Sequence, residues 1–440
     1  MIKFLMGKSS PFPTEKNRFN LMHIAAAILA TLVLTLLVVN LAEGEKRIET
    51  RIENLYGVRD QQYLRTMGVL LGPAVVEGNK LQYLENGDRI FPAMLEAIRG
   101  ARSTITFETY IYWSGEVGRM FAEALRERAQ AGVKVHVLLD WVGSARMDDA
   151  LLELMRDGGV EVERYHAPTW RNWSRVNNRT HRKLLVVDGR IGFTGGVGIA
   201  DKWRGDAQDP DHWRDSHFRI EGPTVAEFQA VFMDNWTKAT GRVLHGAEYF
   251  PRIERSGDTA AQMFSSSPTG GSESMHLMYL LTIASAQQSI LLSSSYFVPD
   301  SLTIEALAAA ARRGVRVQII TPGEHIDAEV VRRASRARWG SLLEAGIEIY
   351  EYQPTMFHCK VMVVDDYLVS TGSTNFDNRS FRLNDEANLN VYDEAFAREQ
   401  AAVFEKDRAR SRRITLEEWR NRPWTEKLVE QASSLIGRQL

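Results

Sequence analysis

The feature that most constrains the fold of this chain is an internal repeat. The stretch HRKLLVVD begins at His181, and a close copy, HCKVMVVD, begins at His358. Upstream, ALRERAQAGVKVHVLLD from Ala124 matches ALAAAARRGVRVQIITP from Ala306, at nearly the same separation along the chain. With 440 residues, the chain is long enough for two domains of average size, so the repeat predicts two copies of one folding unit.

Each copy has the pattern of an α/β unit. Helical patterns alternate with short β-rich runs, such as GGVEVERY from Gly158 and AGIEIYEY from Ala345, which predicts an α/β fold with mixed sheets. The two motifs could then meet across a pseudo-twofold axis and form one active site. We predict the following division: a tail at 1–20, a transmembrane helix at 21–41, a stalk at 42–69, a first half at 70–245, a linker at 246–275, and a second half with a helical tail at 276–440.

The two motifs are predicted to present the same side chains in the same way. The β-branched runs LLVV and VMVV indicate that each motif lies on a β-strand. Side chains alternate between the two faces of a strand, so His181 and Lys183 share one face. The same argument puts His358 and Lys360 on one face of the second strand.

Each motif ends in an aspartate, Asp188 in the first copy and Asp365 in the second. These residues have the opposite parity to the histidines, and the pairs Asp188-Gly189 and Asp365-Asp366 are typical of tight turns between strands. We count both aspartates with the catalytic motif, but we expect them to act as turn and support residues rather than on the reacting face.

These residue types suit phosphoryl transfer. Two lysines and an asparagine can neutralise and hold the single charge of a phosphodiester. One histidine can attack phosphorus while the other protonates the leaving alkoxide, after which the roles reverse. Such a site needs no metal and no cofactor, and the sequence has no compact metal-ligand cluster. Small and polar residues after the return strands are the candidate phosphate-binding residues: Gly196, Ser373 and Asn375.

A catalytic histidine needs an acceptor on its second ring nitrogen to fix the tautomer. Two acidic residues lie at comparable distances downstream of the motifs, Asp215 after His181 and Glu386 after His358. We predict that these carboxylates orient the histidines. The alternative is that they are surface charges or members of strand-end salt bridges.

The N-terminal region predicts a membrane anchor. Residues 21–41 contain no Asp, Glu, Lys or Arg and only a few polar residues, including His23, and a helix of this length covers about 30 Å, the thickness of a bilayer core. A buried core helix or a cleaved signal peptide fits the pattern less well. Four lysines and arginines precede the segment and three closely follow it, which slightly favours a cytoplasmic N-terminus and an extracytoplasmic catalytic part.

The net charge of −2 gives no sign of a nucleic-acid partner, because such proteins usually carry a basic domain. Other features leave two interpretations open. Trp170 and Trp173 lie among arginines and could dock on an anionic membrane or pack on their own domain. Glu108 and Tyr296 could face the site or belong to the core. The sequence does not indicate an oligomeric state.

The paired HRKLLVVD and HCKVMVVD, with GSTN after the second, resemble the phospholipase D superfamily. More narrowly, FETYIYW, WRDSHFRIEGP and ITLEEWRNRPW resemble the bacterial cardiolipin synthases of that superfamily. The likeness runs from about residue 70 to the C-terminus. It implies two phospholipase D-type α/β sandwich halves that form one active site, in an enzyme of the bacterial inner membrane.

The resemblance implies a two-step transfer. The phosphatidyl group of one phosphatidylglycerol would move to a histidine with release of glycerol, and a second phosphatidylglycerol would accept it to give cardiolipin. His181 would be the nucleophile and His358 the acid and base, although symmetry allows the reverse. Lys183, Lys360 and Asn375 would bind phosphate.

Two features depart from the family pattern. Gly198 stands where an asparagine is common, which removes an amide donor from the first half. Synthases of this kind also often carry two N-terminal transmembrane segments, whereas this sequence predicts one.

Two other function classes remain open from the sequence: a hydrolase with the same site, either a phospholipase D or a nuclease, and a lipid-binding protein without activity. A phospholipase D hydrolase would use water as the acceptor, and acceptor choice depends on water exclusion and cleft shape. A nuclease is disfavoured by the predicted anchor and the lack of basic charge. A lipid-binding protein without activity is disfavoured because both His-Lys pairs are intact.

Overall fold

The computed structural model describes residues 15–41, 48–167, 177–267 and 273–435. Most of the predicted tail at 1–20 and the segment with Trp170 and Trp173 lie outside these residues. Contacts divide the chain into two compact units, one of residues 1–42 and 168–177, and the other of residues 43–167 and 178–440.

The described helices and strands alternate in the second unit, as expected for an α/β fold. The helices are α1 (Glu15–Leu41), α2 (Gln61–Leu71), α3 (Asn86–Gly100), α4 (Glu116–Gln130), α5 (Asp149–Asp157), α6 (Val225–Thr240), α7 (Ser274–Ser285), α8 (Ser301–Arg312), α9 (Glu329–Arg336), α10 (Gly340–Glu344), α11 (Asn378–Arg382), α12 (Glu394–Arg408), α13 (Leu416–Asn421) and α14 (Trp424–Leu435). The strands are β1 (Val76–Glu85), β2 (Thr104–Thr109), β3 (Lys134–Asp140), β4 (Glu161–Tyr165), β5 (Arg179–Thr180), β6 (Leu184–Val187), β7 (Ile191–Gly195), β8 (Ser216–Glu221), β9 (Thr259–Ser266), β10 (Ser289–Ser294), β11 (Phe297–Val298), β12 (Arg316–Pro322), β13 (Glu348–Tyr352), β14 (Lys360–Val364), β15 (Leu368–Gly372), β16 (Phe376–Asp377), β17 (Asn384–Tyr392) and β18 (Ser411–Ile414).

The first unit contains α1, a helix of 27 residues that covers the predicted transmembrane segment. Among the residues that the structure describes, no helix has both the length and the apolar character needed to cross a membrane.

The second unit is built from two halves with the same strand order. The first half runs β1-β8-β7-β6-β2-β3-β4 and the second runs β9-β17-β15-β14-β10-β12-β13, with β18 added at its edge. An antiparallel pairing of β1 with β9 joins them into one continuous sheet. This arrangement confirms the predicted α/β fold with two similar halves.

The repeated sequences fold in the same way. In the first copy α4 leads through Gly132 into β3, and in the second α8 leads through Gly314 into β12. Both glycines have a positive φ, 90° and 94°, a conformation that favours glycine at the end of a helix. β3 pairs in parallel with β2, and β12 pairs in parallel with the corresponding strand of the second half, β10.

The two halves share a core, so they are not independent bodies. One cluster of buried apolar residues draws on both halves, with Phe218, Phe228 and Trp236 from the first and Leu291 and Phe357 from the second. Two further clusters are centred on the first and second halves, respectively; the first also includes Met356 of the second half, and the second includes Tyr63 of α2. The shared core therefore fixes the position of one half against the other.

The boundaries differ from the prediction at the linker and the stalk. The linker predicted at 246–275 contains β9, a central strand that pairs with β17 over seven residues. Its sequence, TAAQMFSS, is rich in small and hydroxyl residues and therefore resembles a loop. The predicted stalk contains most of α2. The buried hydroxyl of Tyr63 on α2 shares a hydrogen bond of 2.7 Å with the hydroxyl of Thr282 on α7, so this segment packs on the second half.

Candidate active site

The two histidines lie where each half meets the other. His181 and Lys183 come just before β6, rather than within the strand as predicted, and Lys360 is the first residue of β14. The backbone N–H of His181 donates to the carbonyl of Asp385, on β17 of the second half, at 2.9 Å. The N–H of His358 donates to the carbonyl of Arg214, in the first half, at 2.8 Å. Each histidine segment is thus attached to the opposite half.

As a result, each histidine is oriented by a carboxylate from the opposite half. Nδ1 of His181 lies 3.0 Å from Oε1 of Glu386, and Nδ1 of His358 lies 2.8 Å from Oδ2 of Asp215. Both carboxylates were predicted to orient histidines, but sequence spacing does not tell which histidine each one serves. The structure pairs each carboxylate with the histidine of the other half.

The electrostatics of these pairs favour neutral imidazoles. Burial lowers the pKa of His181 to about 4, against the attraction of Glu386. Burial and the charge of Lys360 lower the pKa of His358 to about 3, against the attraction of Asp215. Burial alone would raise the pKa of both carboxyls, but their histidine partners hold the values below the usual range. At neutral pH each Nδ1–H therefore donates to its carboxylate, and Nε2 keeps a lone pair.

The two lysines are buried beside the histidines. Nζ of Lys183 donates to the carbonyl of His181 at 2.7 Å. Nζ of Lys360 donates to the carbonyl of His358 at 2.9 Å and to Oγ of Ser295 at 2.7 Å. Burial and then repulsion by Lys360 lower the pKa of Lys183 to about 7. Two like charges placed this close are stabilised when an anion binds between them.

Asn375 lies in the cleft with the histidines, as predicted. Its Oδ1 accepts a hydrogen bond from Ser295 at 2.6 Å. Because the amide oxygen has this partner, the amide N–H groups of Asn375 are the atoms suited to bind an anion. The cleft has a volume of about 640 Å³, and its lining includes His181, Lys183, His358 and Asn375.

Two predicted phosphate-binding residues have other roles in the structure. The hydroxyl of Ser373 donates to Oε2 of Glu386, so it supports the carboxylate that orients His181. The N–H of Gly196 donates to the carbonyl of Ser216 at 3.1 Å. A Cβ at Gly196 would lie 2.2 Å from Oδ1 of Asp215, so glycine is needed for the close approach of that carboxylate. Neither residue lines the cleft.

The motif aspartates also lie outside the cleft. Counting them with the catalytic residues was therefore wrong. Asp188 and Asp365 begin the hairpin turns with positive φ values of 53° and 52°. Asp188 accepts from the backbone N–H groups of Ser103 and Thr104 at 2.8 and 3.0 Å. Asp365 accepts from the N–H of Ser289, in the matching position, at 2.9 Å. Both are turn and support residues that attach each hairpin to the neighbouring strand.

Glu108 and Tyr296, which sequence reasoning left undecided, have different positions. Glu108 is buried behind the cleft, where Asn235 donates to its Oε1 at 2.7 Å. Burial raises its pKa to about 7. Tyr296 lines the cleft, and its hydroxyl donates to Oδ1 of Asp327 at 2.8 Å.

Trp203 is the functional residue that the sequence analysis missed. Its Nε1–H donates at 2.8 Å to Oδ2 of Asp215, the same oxygen that holds His358. Its ring lies edge-on to that histidine, with centroids 5.3 Å apart. A Cβ at Gly198 would lie 3.1 Å from this ring and 2.8 Å from Cβ of Ile111. Trp203 therefore occupies the space beside Gly198. The sequence signal that could have revealed this role is Gly198 in place of the usual asparagine, with Trp203 a few residues later.

The Trp203→Phe variant is expected to lower kcat roughly tenfold, because the ring remains but Asp215 loses a charge-assisted hydrogen bond. Trp213→Phe is the matched control, since Trp213 also packs on His358, at 5.5 Å between centroids, but its indole does not bond to Asp215. Its kcat should stay within about threefold. Steady-state kinetics measure both, and equal losses in the two variants would contradict the assigned role.

Within the described part of the chain, no group of three or more His, Cys, Asp or Glu side chains is arranged to hold a metal ion. The arrangement can perform chemistry with its own residues: two imidazole Nε2 atoms, two ammonium groups and one amide.

Comparison with known proteins supports the same chemistry. A family model described as "Cardiolipin synthase, PLD-like domain" matches residues 94–236 and 279–408, one stretch in each half. Cardiolipin synthase 2 of Staphylococcus epidermidis is 35% identical over 362 residues, which are 82% of this chain and 74% of that protein. Cardiolipin synthase A of Pseudomonas fluorescens is 34% identical over 375 residues, 85% of this chain and 78% of that protein. The resemblance noted in the sequence is thereby confirmed.

Solved structures agree on the fold. The phosphatidylserine synthase of Haemophilus influenzae has a TM-score of 0.65 at 15% identity, covering 86% of this chain and 99% of that chain. The polyphosphate kinase of Porphyromonas gingivalis has a TM-score of 0.51 at 15% identity, covering 85% of this chain and 53% of that chain. At these identities the likeness is one of fold alone.

Proposed function

Because the chain belongs to the family of cardiolipin synthases with phospholipase D-like domains, we propose that it transfers a phosphatidyl group between two phosphatidylglycerol molecules to give cardiolipin and glycerol. The crossed His181–Glu386 and His358–Asp215 pairs carry this proposal. They present two imidazoles to one cleft, one to attack phosphorus and one to carry the proton, beside two lysines, which is the equipment that a diester exchange requires.

In the first step Nε2 of His181 attacks the phosphorus of one phosphatidylglycerol. The bond between phosphorus and the glycerol headgroup oxygen breaks, and that oxygen takes a proton from Nε2 of His358. The products are a phosphatidyl-histidine and free glycerol. Before phosphate binds, burial and Lys360 keep the pKa of His358 at about 3. The charge of the bound diester opposes both effects, so substrate binding itself favours the protonated acid.

In the second step a hydroxyl of another phosphatidylglycerol attacks the same phosphorus. Nε2 of His358 removes the hydroxyl proton, the bond from phosphorus to His181 breaks, and cardiolipin leaves. Lys183, Lys360 and Asn375 stabilise the negative charge on the non-bridging oxygens in both steps. The assignment of His181 as the nucleophile rests on the family resemblance, since both histidines have the same kind of carboxylate partner.

Product analysis tests this function. Purified protein would be given vesicles of phosphatidylglycerol, and lipids and free glycerol would be followed by mass spectrometry. The proposal predicts cardiolipin and glycerol in equal amounts. Phosphatidic acid and glycerol without cardiolipin would instead show that water is the acceptor, and the transferase proposal would fail.

Activity is expected to fall as the pH rises above about 7. Burial and Lys360 lower the pKa of Lys183 to about 7, so the free enzyme loses a phosphate-binding charge above that pH. Because kcat/KM reports the ionisation of the free enzyme, its profile should contain an alkaline limb near this value. The Lys183→Arg variant keeps its charge, so its limb should move to higher pH.

Lys134→Arg is the control for the pH profile, because Lys134 is exposed and pairs with Glu248 at 2.7 Å. Its profile should match that of the unaltered protein. If the alkaline limb of the kcat/KM profile stayed at the same pH in Lys183→Arg, the ionisation would belong to another group.

The membrane anchor at 21–41 is part of the proposal. The stretch has no Asp, Glu, Lys or Arg, and the side chains described within it, at 22–36, are exposed, including Met22, Leu29 and Leu34 at 71%, 63% and 62%. Exposure of this much apolar surface is unfavourable in water but favourable in lipid. We propose a single pass through the bacterial inner membrane, with the catalytic part on the extracytoplasmic side. Release of the full chain from membranes by alkaline carbonate would contradict the anchor.

A further inference from the structure

The cleft carries more positive charge than one phosphodiester requires. Lys183 and Lys360, with Asn375, already serve a diester placed between the two histidines. Three arginines also line the cleft, Arg146 and Arg179 from the first half and Arg379 from the second. The pair of interest is Arg179, on β5, and Arg379, on α11. Both are only partly buried, so their charges reach the cleft rather than the core.

The two guanidiniums act on the same part of the cleft. After burial and the attraction of Asp140, the charge of Arg379 is the next influence on Arg179, and it lowers the pKa of that guanidinium. Both arginines also favour the charged form of Tyr110. The ring of Tyr110 lies edge-on to His181, with centroids 5.2 Å apart. Nζ of Lys183 lies 5.7 Å from the centroid of the same ring, so Tyr110 links the arginine pair to the His181 side of the cleft.

The acidic groups nearby have partners of their own. Asp140 accepts from the backbone N–H groups of Val142 and Thr180 at 2.9 and 3.0 Å. Asp327 accepts from the hydroxyl of Tyr296, and Asp377 accepts from the N–H of Ser380 at 2.7 Å. Like charges held together in a partly buried site are unfavourable unless an anion lies between them.

Both arginines have further partners in the fold. A guanidinium has five N–H donors in a planar arrangement, so one that is held by the fold still has donors suited to a phosphate. Trp141 lies against Arg179, with the guanidinium carbon 5.6 Å from the ring centroid. This contact restricts the orientation of Arg179 and leaves the guanidinium organised for binding.

We propose that Arg179 and Arg379 form a second anion subsite, which binds the phosphodiester of the acceptor phosphatidylglycerol while the first phosphatidyl group is held on His181. The inference rests on the proposed function and names the residues that select its acceptor. An acceptor phosphatidylglycerol carries its own phosphate a short glycerol bridge away from the attacking hydroxyl. Water and free glycerol have no such charge, so the subsite favours transfer to lipid over hydrolysis.

Two rates measured on one preparation test this subsite. Exchange of isotopically labelled free glycerol into phosphatidylglycerol needs the donor and the catalytic residues only, whereas cardiolipin formation also needs the anionic acceptor. In the double variant Arg179→Gln/Arg379→Gln, cardiolipin formation should fall by roughly 30-fold or more, because hydrogen bonds to charged groups are lost. Glycerol exchange should stay within about threefold.

The control is Arg119→Gln, an exposed arginine on α4, which should change neither rate. Retained exchange also shows that the double variant is folded. Loss of both rates together, or of neither, would overturn the subsite. Absence of exchange and of cardiolipin in the unaltered protein would instead overturn the proposed function, so the two failures are distinguishable.

A soluble acceptor provides an independent measurement. Glycerol 3-phosphate carries an anionic phosphate beside its hydroxyls, and glycerol does not. The unaltered protein should use glycerol 3-phosphate with a kcat/KM roughly tenfold or more above that for glycerol. Arg179→Lys/Arg379→Lys should retain part of this preference, and Arg179→Gln/Arg379→Gln should lose it. Equal use of both acceptors by the unaltered protein would overturn the subsite.

Discussion

Replacing His181 by alanine is expected to lower the rate of cardiolipin formation by roughly 10⁴-fold or more, since the proposed nucleophile is removed. Replacing His358 by alanine should lower it by roughly 10²–10⁴-fold, since the leaving glycerol loses its proton donor. Both histidines are needed because one diester exchange has an attack and a protonation, and each half of the chain supplies one imidazole. Lipid product rates measure both effects.

The control is His245→Ala, because His245 is exposed on a loop outside the cleft. It should have the activity of the unaltered protein. Far-UV circular dichroism should show that all three variants are folded. If either cleft variant kept more than a tenth of the activity, the two-histidine mechanism would be wrong.

Exchanging Asp215 for asparagine should lower kcat by roughly 10²–10⁴-fold, because an amide can donate to Nδ1 and so stabilise the wrong tautomer. Glu386→Gln should have an effect of the same size through His181. Asp209→Asn is the matched control, since Asp209 also contacts a histidine Nδ1, that of His212 at 2.7 Å, but at the surface. Its kcat should be unchanged.

The crossed pairing of carboxylates and histidines can be tested directly in the same variants. Nitrogen NMR of the imidazoles should show that Asp215→Asn changes the signals of His358 and leaves those of His181 in place. Glu386→Gln should do the reverse. If Asp215→Asn perturbed His181 instead, each carboxylate would serve the histidine of its own half, and the arrangement of the two halves would be wrong.

Much of the fold follows from local patterns in the sequence. The duplicated motif, the repeated helix-glycine-strand segments and the turn pairs at Asp188 and Asp365 all depend on neighbouring residues, so they predict the two α/β halves and the two hairpins. The histidines, lysines and Asn375 follow from the chemistry of a phosphodiester. Local reasoning also assigned the motif aspartates to turns, and the structure places them there.

The remaining features depend on how the halves meet, which no local pattern records. The crossed carboxylates arise because the His181 segment pairs with β17 and the His358 segment pairs with the stretch at Arg214. The role of β9 depends on its place between the halves, and its small, polar residues gave no strand signal. Ser373 and Gly196 look suited to an anion, but tertiary contacts direct one to Glu386 and the other to Asp215.

The covalent intermediate provides the most direct test of the central claim, that both halves form one site for a two-step transfer. The protein would be mixed with phosphatidylglycerol, quenched rapidly under alkaline denaturing conditions, digested and analysed by mass spectrometry. The account predicts a phosphatidyl adduct on the peptide that contains His181, and none in His181→Ala. Steady cardiolipin formation with no adduct on either histidine peptide would contradict it.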